Sequence, residues 1–161
     1  QRIAIARALI SDPEFVVLDE PTSALDVSVQ AQILNLFKDI QKKRRLSYLF
    51  ISHNLSVIRH ISHRIAVMYL GNLMEFCDRQ EMFRNPLHPY TQALLRSIPK
   101  PYVTDEDISD KIIKGDIPSP VDPPPGCRFN TRCPQATDEC RRVRPQWREV
   151  NAGHWLACHQ V

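Results

Sequence analysis

The feature that most constrains this chain is the run Phe15-Val16-Val17-Leu18, which closes on the paired carboxylates Asp19-Glu20. A short, continuous run of bulky and β-branched residues is what a strand buried on both faces of a parallel sheet requires. Pro13 ends the amphipathic helical pattern of residues 1–10 ahead of it. Beyond it, Val29, Ile33, Leu36, Phe37 and Ile40 recur at helical spacing, with Asp26 or Ser28 available as N-cap and a basic end over residues 42–45 that suits the helix dipole. Residues 48–52 read as a second strand, 55–61 as a short helix and 65–70 as a third strand. That order predicts an α/β fold with a mostly parallel sheet.

The parallel pattern stops at Gly71-Asn72, which predicts a hairpin to residues 73–76 at one margin of the sheet. Helices are expected near 81–84 and 90–98, the second introduced by Pro89 at an early helix position. Seven of the 13 prolines then fall between residues 99 and 125, mixed with the acidic run Asp105-Glu106-Asp107, as in a linker or irregular surface strap. The expected organisation is a domain over 1–98, a proline-rich linker over 99–125 and an irregular, cysteine-rich extension over 126–161.

Charge and hydropathy remove several function classes. Of 21 Lys/Arg and 18 Asp/Glu, residues 126–161 hold six and three, leaving fifteen of each before them, so the net +3 sits in the tail. Such a mild excess argues against a nucleic-acid partner. The longest apolar runs reach about half a dozen residues, where a bilayer span needs roughly 20, so any membrane role is expected to run through a partner. No Met stands at position 1 and the first helix reads as already in progress, so truncation at the front is expected.

A carboxylate at the carboxyl end of a buried strand sits where ligands bind in open α/β sheets. Adjacent residues on an extended chain point in different directions, so Asp19 is placed to face a magnesium ion, usually through water, and Glu20 to act as general base on a nucleophilic water. The next strand ends in Ser52-His53, which brings an imidazole to the same edge, able to bond a terminal phosphate.

Residues 15–26, FVVLDEPTSALD, resemble the Walker B strand and D-loop of ATP-binding cassette (ABC) ATPases, a P-loop NTPase class, and Ser52-His53 resembles their switch histidine. Residues 1–9 are similar to the helix that follows the family's glycine-rich signature. The resemblance implies that ATP is the substrate, that Asp19 binds Mg2+, that Glu20 polarises water, that Ser23 and Asp26 belong to the D-loop contacting a second ABC subunit, and that His53 contacts the γ-phosphate. The only glycines are Gly71, Gly115, Gly126 and Gly153, so neither a GxxxxGK(S/T) phosphate loop nor an LSGGQ-like signature is present. Phosphoryl transfer depends on cradling the β and γ phosphates, and these residues alone are therefore expected to be inactive as an ATPase.

Four of the five cysteines, Cys127, Cys133, Cys140 and Cys158, fall in the tail. A nucleotide site implies a reducing compartment, which disfavours disulfides. Four thiolates suit zinc or an iron-sulfur centre, with His154 and His159 as further donors, although the spacing lacks the CxxC pairs usual for structural zinc. A metal centre is favoured over idle thiols.

Here too the residues carry a resemblance. Asn85-Pro86-Leu87-His88-Pro89-Tyr90-Thr91, Gly126-Cys127-Arg128-Phe129, Arg132-Cys133-Pro134 and Ala157-Cys158-His159 resemble the C-terminal extension of oligopeptide and dipeptide importer ATPases. That resemblance implies a four-iron four-sulfur cluster on Cys127, Cys133, Cys140 and Cys158, with Zn2+ as alternative. It also implies membrane permease subunits and an extracytoplasmic solute-binding protein as partners, at the cytoplasmic face of the plasma membrane. Three departures stand out: Asn54 where Asp commonly follows the histidine, His63 at a position often acidic, and Cys77 where glycine is usual. The rival reading is a non-transport ABC ATPase or adaptor with a metal-binding tail.

Overall fold

The computed structural model describes residues 1–98, 113 and 115–161. Most of the stretch expected as a proline-rich linker, residues 99–112 and 114, lies outside the described residues. The chain divides into two compact units, Gln1–Ser62 and His63–Val161.

In the first unit, α1 (Arg2–Leu9) precedes β1 (Phe15–Asp19), and α2 (Val27–Arg44) leads to β2 (Ser47–Ile51) and α3 (Leu55–Ile61). The two strands pair in parallel with Phe15 opposite Ser47 and Asp19 opposite Ile51. Helix α2 starts where Asp26 accepts a hydrogen bond from Val29 N at 2.9 Å, and its last turn holds Lys42, Lys43 and Arg44. Helix α3 is capped by Asn54, which accepts from Ser56 N at 3.0 Å and Val57 N at 3.3 Å, so this departure from Asp keeps the capping chemistry. Ile33, Leu34, Phe37, Val57 and Ile61 form the core, against which Leu18, Tyr48 and Phe50 pack. Phe37 meets Tyr48 and Phe50 edge-on at 5.9 and 6.2 Å.

Two expectations need correction. The first concerns burial: β1 and β2 are covered on one face only, and the other face leaves Phe15, Val17, Leu49 and Ile51 at 56%, 54%, 49% and 44% exposure. The second concerns the third strand. β3 (Arg64–Tyr69) does not extend the parallel sheet; it pairs antiparallel with β4 (Asn72–Asp78) in a separate sheet of the second unit. Only the β1–β2 pair is parallel, so the mostly parallel sheet expected from the element order is not what forms among the described residues. The burial of β3 alternates strictly, with Ile65, Val67 and Tyr69 inside and Arg64, Ala66 and Met68 outside, the pattern of a half-buried antiparallel strand.

The hairpin itself forms as expected. Leu70 and Gly71 both have positive φ, 44° and 73°, the geometry whose twist matches two antiparallel strands. Val67 pairs with Glu75 and Met68 with Leu73, leaving Met74 as an extra residue in a bulge. This lets Met74 and Glu75, neighbours in sequence, both be buried.

The tail is more regular than an irregular extension. After turns over 126–136 and α6 (Asp138–Arg142), it forms β5 (Arg148–Asn151) and β6 (His154–Leu156). β6 pairs with β4, Glu75 opposite Leu156, and the sheet order is β3-β4-β6-β5. Between hairpin and tail, α4 (Arg79–Arg84) and α5 (Pro89–Arg96) follow β4, with Pro89 at the first turn of α5 as the sequence predicts. Tyr69, Tyr90 and Phe129 pack within 4.8 to 5.4 Å of one another at the heart of this unit.

Candidate functional site

In the first unit, β1 ends at Asp19 and the chain turns sharply at Glu20, whose φ is 43°. The turn is held by Glu20 N donating to Ile51 O at 3.0 Å and by Ser23, whose Oγ donates back to Glu20 O at 3.1 Å. Thr22 is buried beneath it and accepts from Gln30 Nε2 at 3.3 Å, while Gln1 Nε2 donates to Pro21 O. Strand β2 delivers His53 to the same edge. Glu20 Oε1 accepts from His53 N at 3.0 Å and from His53 Nδ1 at 2.8 Å. Glu20 and His53 are thus brought together beyond the ends of β1 and β2, Ser23 bonds the Glu20 carbonyl, Asp19 precedes it as the last residue of β1, and Asp26 serves locally as the α2 cap.

The chemistry of this edge follows from its protonation. The hydrogen bond from His53, together with its amide and charge, holds the Glu20 carboxyl below its ordinary range, so it is an anion at neutral pH. The Ser52 side chain also favours this carboxylate, which at 35% exposure is open to a water. Nδ1 of His53 must carry the proton it gives to Glu20, which leaves Nε2 an acceptor in the neutral ring and a donor in the imidazolium. Asp26 is also held below the ordinary carboxylate range, first by Val29 N and then by Ser28. No glycine-rich phosphate cradle accompanies these groups, since all four glycines lie beyond residue 62.

The four tail cysteines gather in the second unit, and all are reduced. Cys127 N donates to Cys140 O at 2.8 Å. A Cβ at Gly126 would lie 2.4 Å from Cys140 O, so only glycine permits that approach. Burial, with lesser contributions from neighbouring thiols, pushes Cys127 and Cys158 up and Cys133 up to about 11. Gln160 N donates to Cys158 Sγ at 3.4 Å, and backbone amides of residues 129, 130 and 135 favour the thiolates of Cys127 and Cys133. This donor set suits a thiolate-bound metal in kind. As the side chains stand, however, no group of three or more His, Cys, Asp or Glu among the described residues converges closely enough to hold one. His154 and His159 are engaged elsewhere, with Glu75 at 2.7 Å and Val143 O at 3.0 Å.

Sequence reasoning missed the buried polar centre of this unit. Glu75, 0% exposed, accepts from Leu87 N at 2.7 Å, His88 N at 3.0 Å and His154 Nε2 at 2.7 Å. A carboxylate inside the apolar stretch Leu73-Met74-Glu75-Phe76 is the signal that pointed there. His88 caps α5 through Nδ1, and burial lowers its pKa to about 4. Burial raises Cys77, the remaining cysteine, to about 12.

Residues 74–140, which include Glu75, His88 and three of the four tail cysteines, match the family model described as the oligopeptide/dipeptide transporter, C-terminal region. Among the chain's relatives, YkfD of Bacillus subtilis strain 168 is 58% identical over 160 residues, covering 99% of this chain and 49% of the relative. The oligopeptide transport ATP-binding protein AppF of the same organism is 53% identical over 163 residues, 99% of this chain and 49% of the relative. The oligopeptide transport ATP-binding protein OppF of Haemophilus influenzae is 48% identical over 162 residues, 100% of this chain and 49% of the relative. The chain spans about half the length of these curated relatives. No helix among the described residues is long and apolar enough to cross a membrane.

Proposed function

We propose that this chain is the C-terminal part of an ATP-hydrolysing subunit that energises peptide import through a membrane permease. The observation that carries the reading is Glu20 Oε1 held at 2.8 Å from His53 Nδ1 at the edge where β1 and β2 end, beside Asp19. Asp19 would hold Mg2+ through water, Glu20 orients and deprotonates the attacking water through its solvent-exposed carboxylate, and His53 senses the γ-phosphate through Nε2. Ser23 fixes the turn that aims Glu20, and Ser23 with Asp26 forms the D-loop face toward a second ATPase subunit. The β and γ phosphates are cradled by residues outside these 161, so hydrolysis requires them.

The subunit works peripherally at the cytoplasmic face of the membrane, beneath permease subunits fed by an extracytoplasmic solute-binding protein. Names of the relatives that specify oligopeptide transport support this assignment. In the tail, Cys127, Cys133, Cys140 and Cys158 would hold a four-iron four-sulfur cluster, or failing that Zn2+, once their side chains turn toward one centre, and it would supply a cross-link among these loops. The protein's share is to give up four thiol protons, and burial opposes this at Cys127, Cys133 and Cys158.

The decisive measurement is Mg2+-dependent ATP turnover of the full-length protein. Glu20→Gln lowers it by about 10²- to 10⁴-fold while ATP binding persists, and the 161-residue chain alone shows none. Undiminished turnover in the Glu20→Gln protein refutes the assignment. For the tail, iron analysis and visible absorption of anaerobically prepared protein decide between iron, zinc and neither.

A further inference from the structure

The second unit contains a cavity of about 430 Å³ that neither the hydrolytic edge nor the cysteines use. Its walls come from three distant stretches: Asn72 and Leu73 after the β3–β4 turn, Arg128, and Arg144, Pro145 and Trp147 ahead of β5. Among the described residues no acidic side chain lines it, and two arginines share its wall. Like charges gathered this way repel unless an anion joins them.

Arg128 is held for such a role. Its Nη1 donates to Pro124 O at 2.8 Å and Pro123 O at 3.3 Å, while Nε is buried with no acceptor among the described residues. With Nη1 fixed on carbonyls and Nε buried, Nη2 is the donor left to make a charge-assisted hydrogen bond to a carboxylate or phosphate in the cavity. An anion there would also offset the charge of a guanidinium whose Nε has no acceptor among the described residues. Arg144 is steadied by its hydrogen bond to Asn72 Oδ1.

The remaining wall is apolar. Trp147 is 38% exposed and stacks on Trp155 with centroids 6.4 Å apart and planes inclined by 18°. One face is therefore braced by a neighbour, and Leu73, 43% exposed, adds apolar surface to the same cavity. A free inorganic ion would leave this surface wet. An anion carried on a flat or apolar body would use both halves of the site.

We propose that the cavity lined by Arg128, Arg144 and Trp147 is a binding site for an organic anion, a carboxylate or phosphate attached to an apolar or aromatic body. Two sources share that chemistry: a soluble metabolite and the headgroup region of an anionic lipid.

The test uses the isotope-labelled chain titrated with phenyl phosphate and, separately, inorganic phosphate, followed by NMR at the Trp147 indole N–H. Saturable shifts are expected with phenyl phosphate, which binds more tightly than inorganic phosphate. Arg144→Gln and Arg128→Gln each weaken it about tenfold, the loss expected for one charge-assisted hydrogen bond. Arg144 is exposed, so its variant keeps the wild-type amide spectrum and carries the test if Arg128→Gln fails to fold. Retention on phosphatidylglycerol vesicles but not phosphatidylcholine vesicles, lost in Arg144→Gln, identifies a lipid source. Phenyl phosphate binding without vesicle retention identifies a soluble one. Absence of saturation, equal affinity for both phosphates, or unchanged affinity in the Arg144→Gln chain overturns the proposal.

Discussion

Each unit of this molecule joins a glutamate to a histidine, and the two pairs live under opposite conditions. Glu20 and His53 meet at 2.8 Å with side chains 35% and 80% exposed, whereas Glu75 and His154 meet at 2.7 Å with side chains 0% and 2% exposed. Nearly equal distances do not mean equal energies. Water screens the first pair, so it contributes little to stability and can exchange partners when a phosphate or water arrives. The second pair has lost its water, and its three donors to one carboxylate tie β4, the segment before α5 and β6 together. The proposed chemistry thus falls where rearrangement is easy, and the structural tie where rearrangement is expensive.

The sharpest way to break this contrast is to remove the buried carboxylate. Glu75→Leu leaves His154 Nε2 and two backbone N–H groups without an acceptor and is expected to destabilise the second unit by about 3–5 kcal/mol. Glu75→Gln, which retains an acceptor oxygen, should cost clearly less. Denaturant unfolding followed by tryptophan emission reads both, and a loss below about 1 kcal/mol in Glu75→Leu would erase the distinction.

Acid should also single out the second unit. His88 is kept neutral by burial, with its folded pKa near 4 against an ordinary value of 6.5. An unfolded chain therefore binds more protons between these values. Stability is full above about pH 6.5, falls as pH drops toward 4 and then levels, a loss of up to about 3 kcal/mol. His88→Asn retains a capping acceptor for α5 and should flatten that limb of the stability profile.

A smaller effect tests the glycine that brings the cysteine loops together. Gly126→Ala places a Cβ against Cys140 O at a φ of 68° and should cost about 1–3 kcal/mol, seen as lost protection of the Cys127 amide in hydrogen exchange. Smallest of all is His53→Ala. Removing the exposed ring should change stability by no more than about 0.5 kcal/mol yet return the Glu20 carboxyl toward its ordinary pKa, a change that carboxyl NMR measures directly. A folded-state pKa below the unfolded one means that whatever stability Glu20 contributes is present above its ordinary pKa and fades as pH falls through the lowered value.

Local signals carried much of this architecture. Asp26, Asn54, Asp78 and His88 all cap helices through side-chain bonds to amides two or three residues ahead, and such contacts are legible because both partners are printed side by side. The strand-end acids and the histidine were legible for a similar reason: one parallel pairing suffices to align them. The assignment of β3 was not, since Ala66 and Met68 on its outer face are themselves apolar and concealed the alternation. The Glu75–His154 bond spans 79 positions, and nothing near either residue announced the other.

What the chain determines alone is the order of elements as far as α5, the Asp26 cap, the presence of a hairpin near Gly71 and the identity of the groups at the first two strand ends, because these depend on φ preferences and hydrogen bonds a few residues long. Tertiary structure decided which sheet β3 joins, that β6 comes back to pair with β4, and that Glu75 lies buried among three donors. Those outcomes turn on desolvation and cross-strand pairing, and both are set by partners that only the folded chain brings within reach.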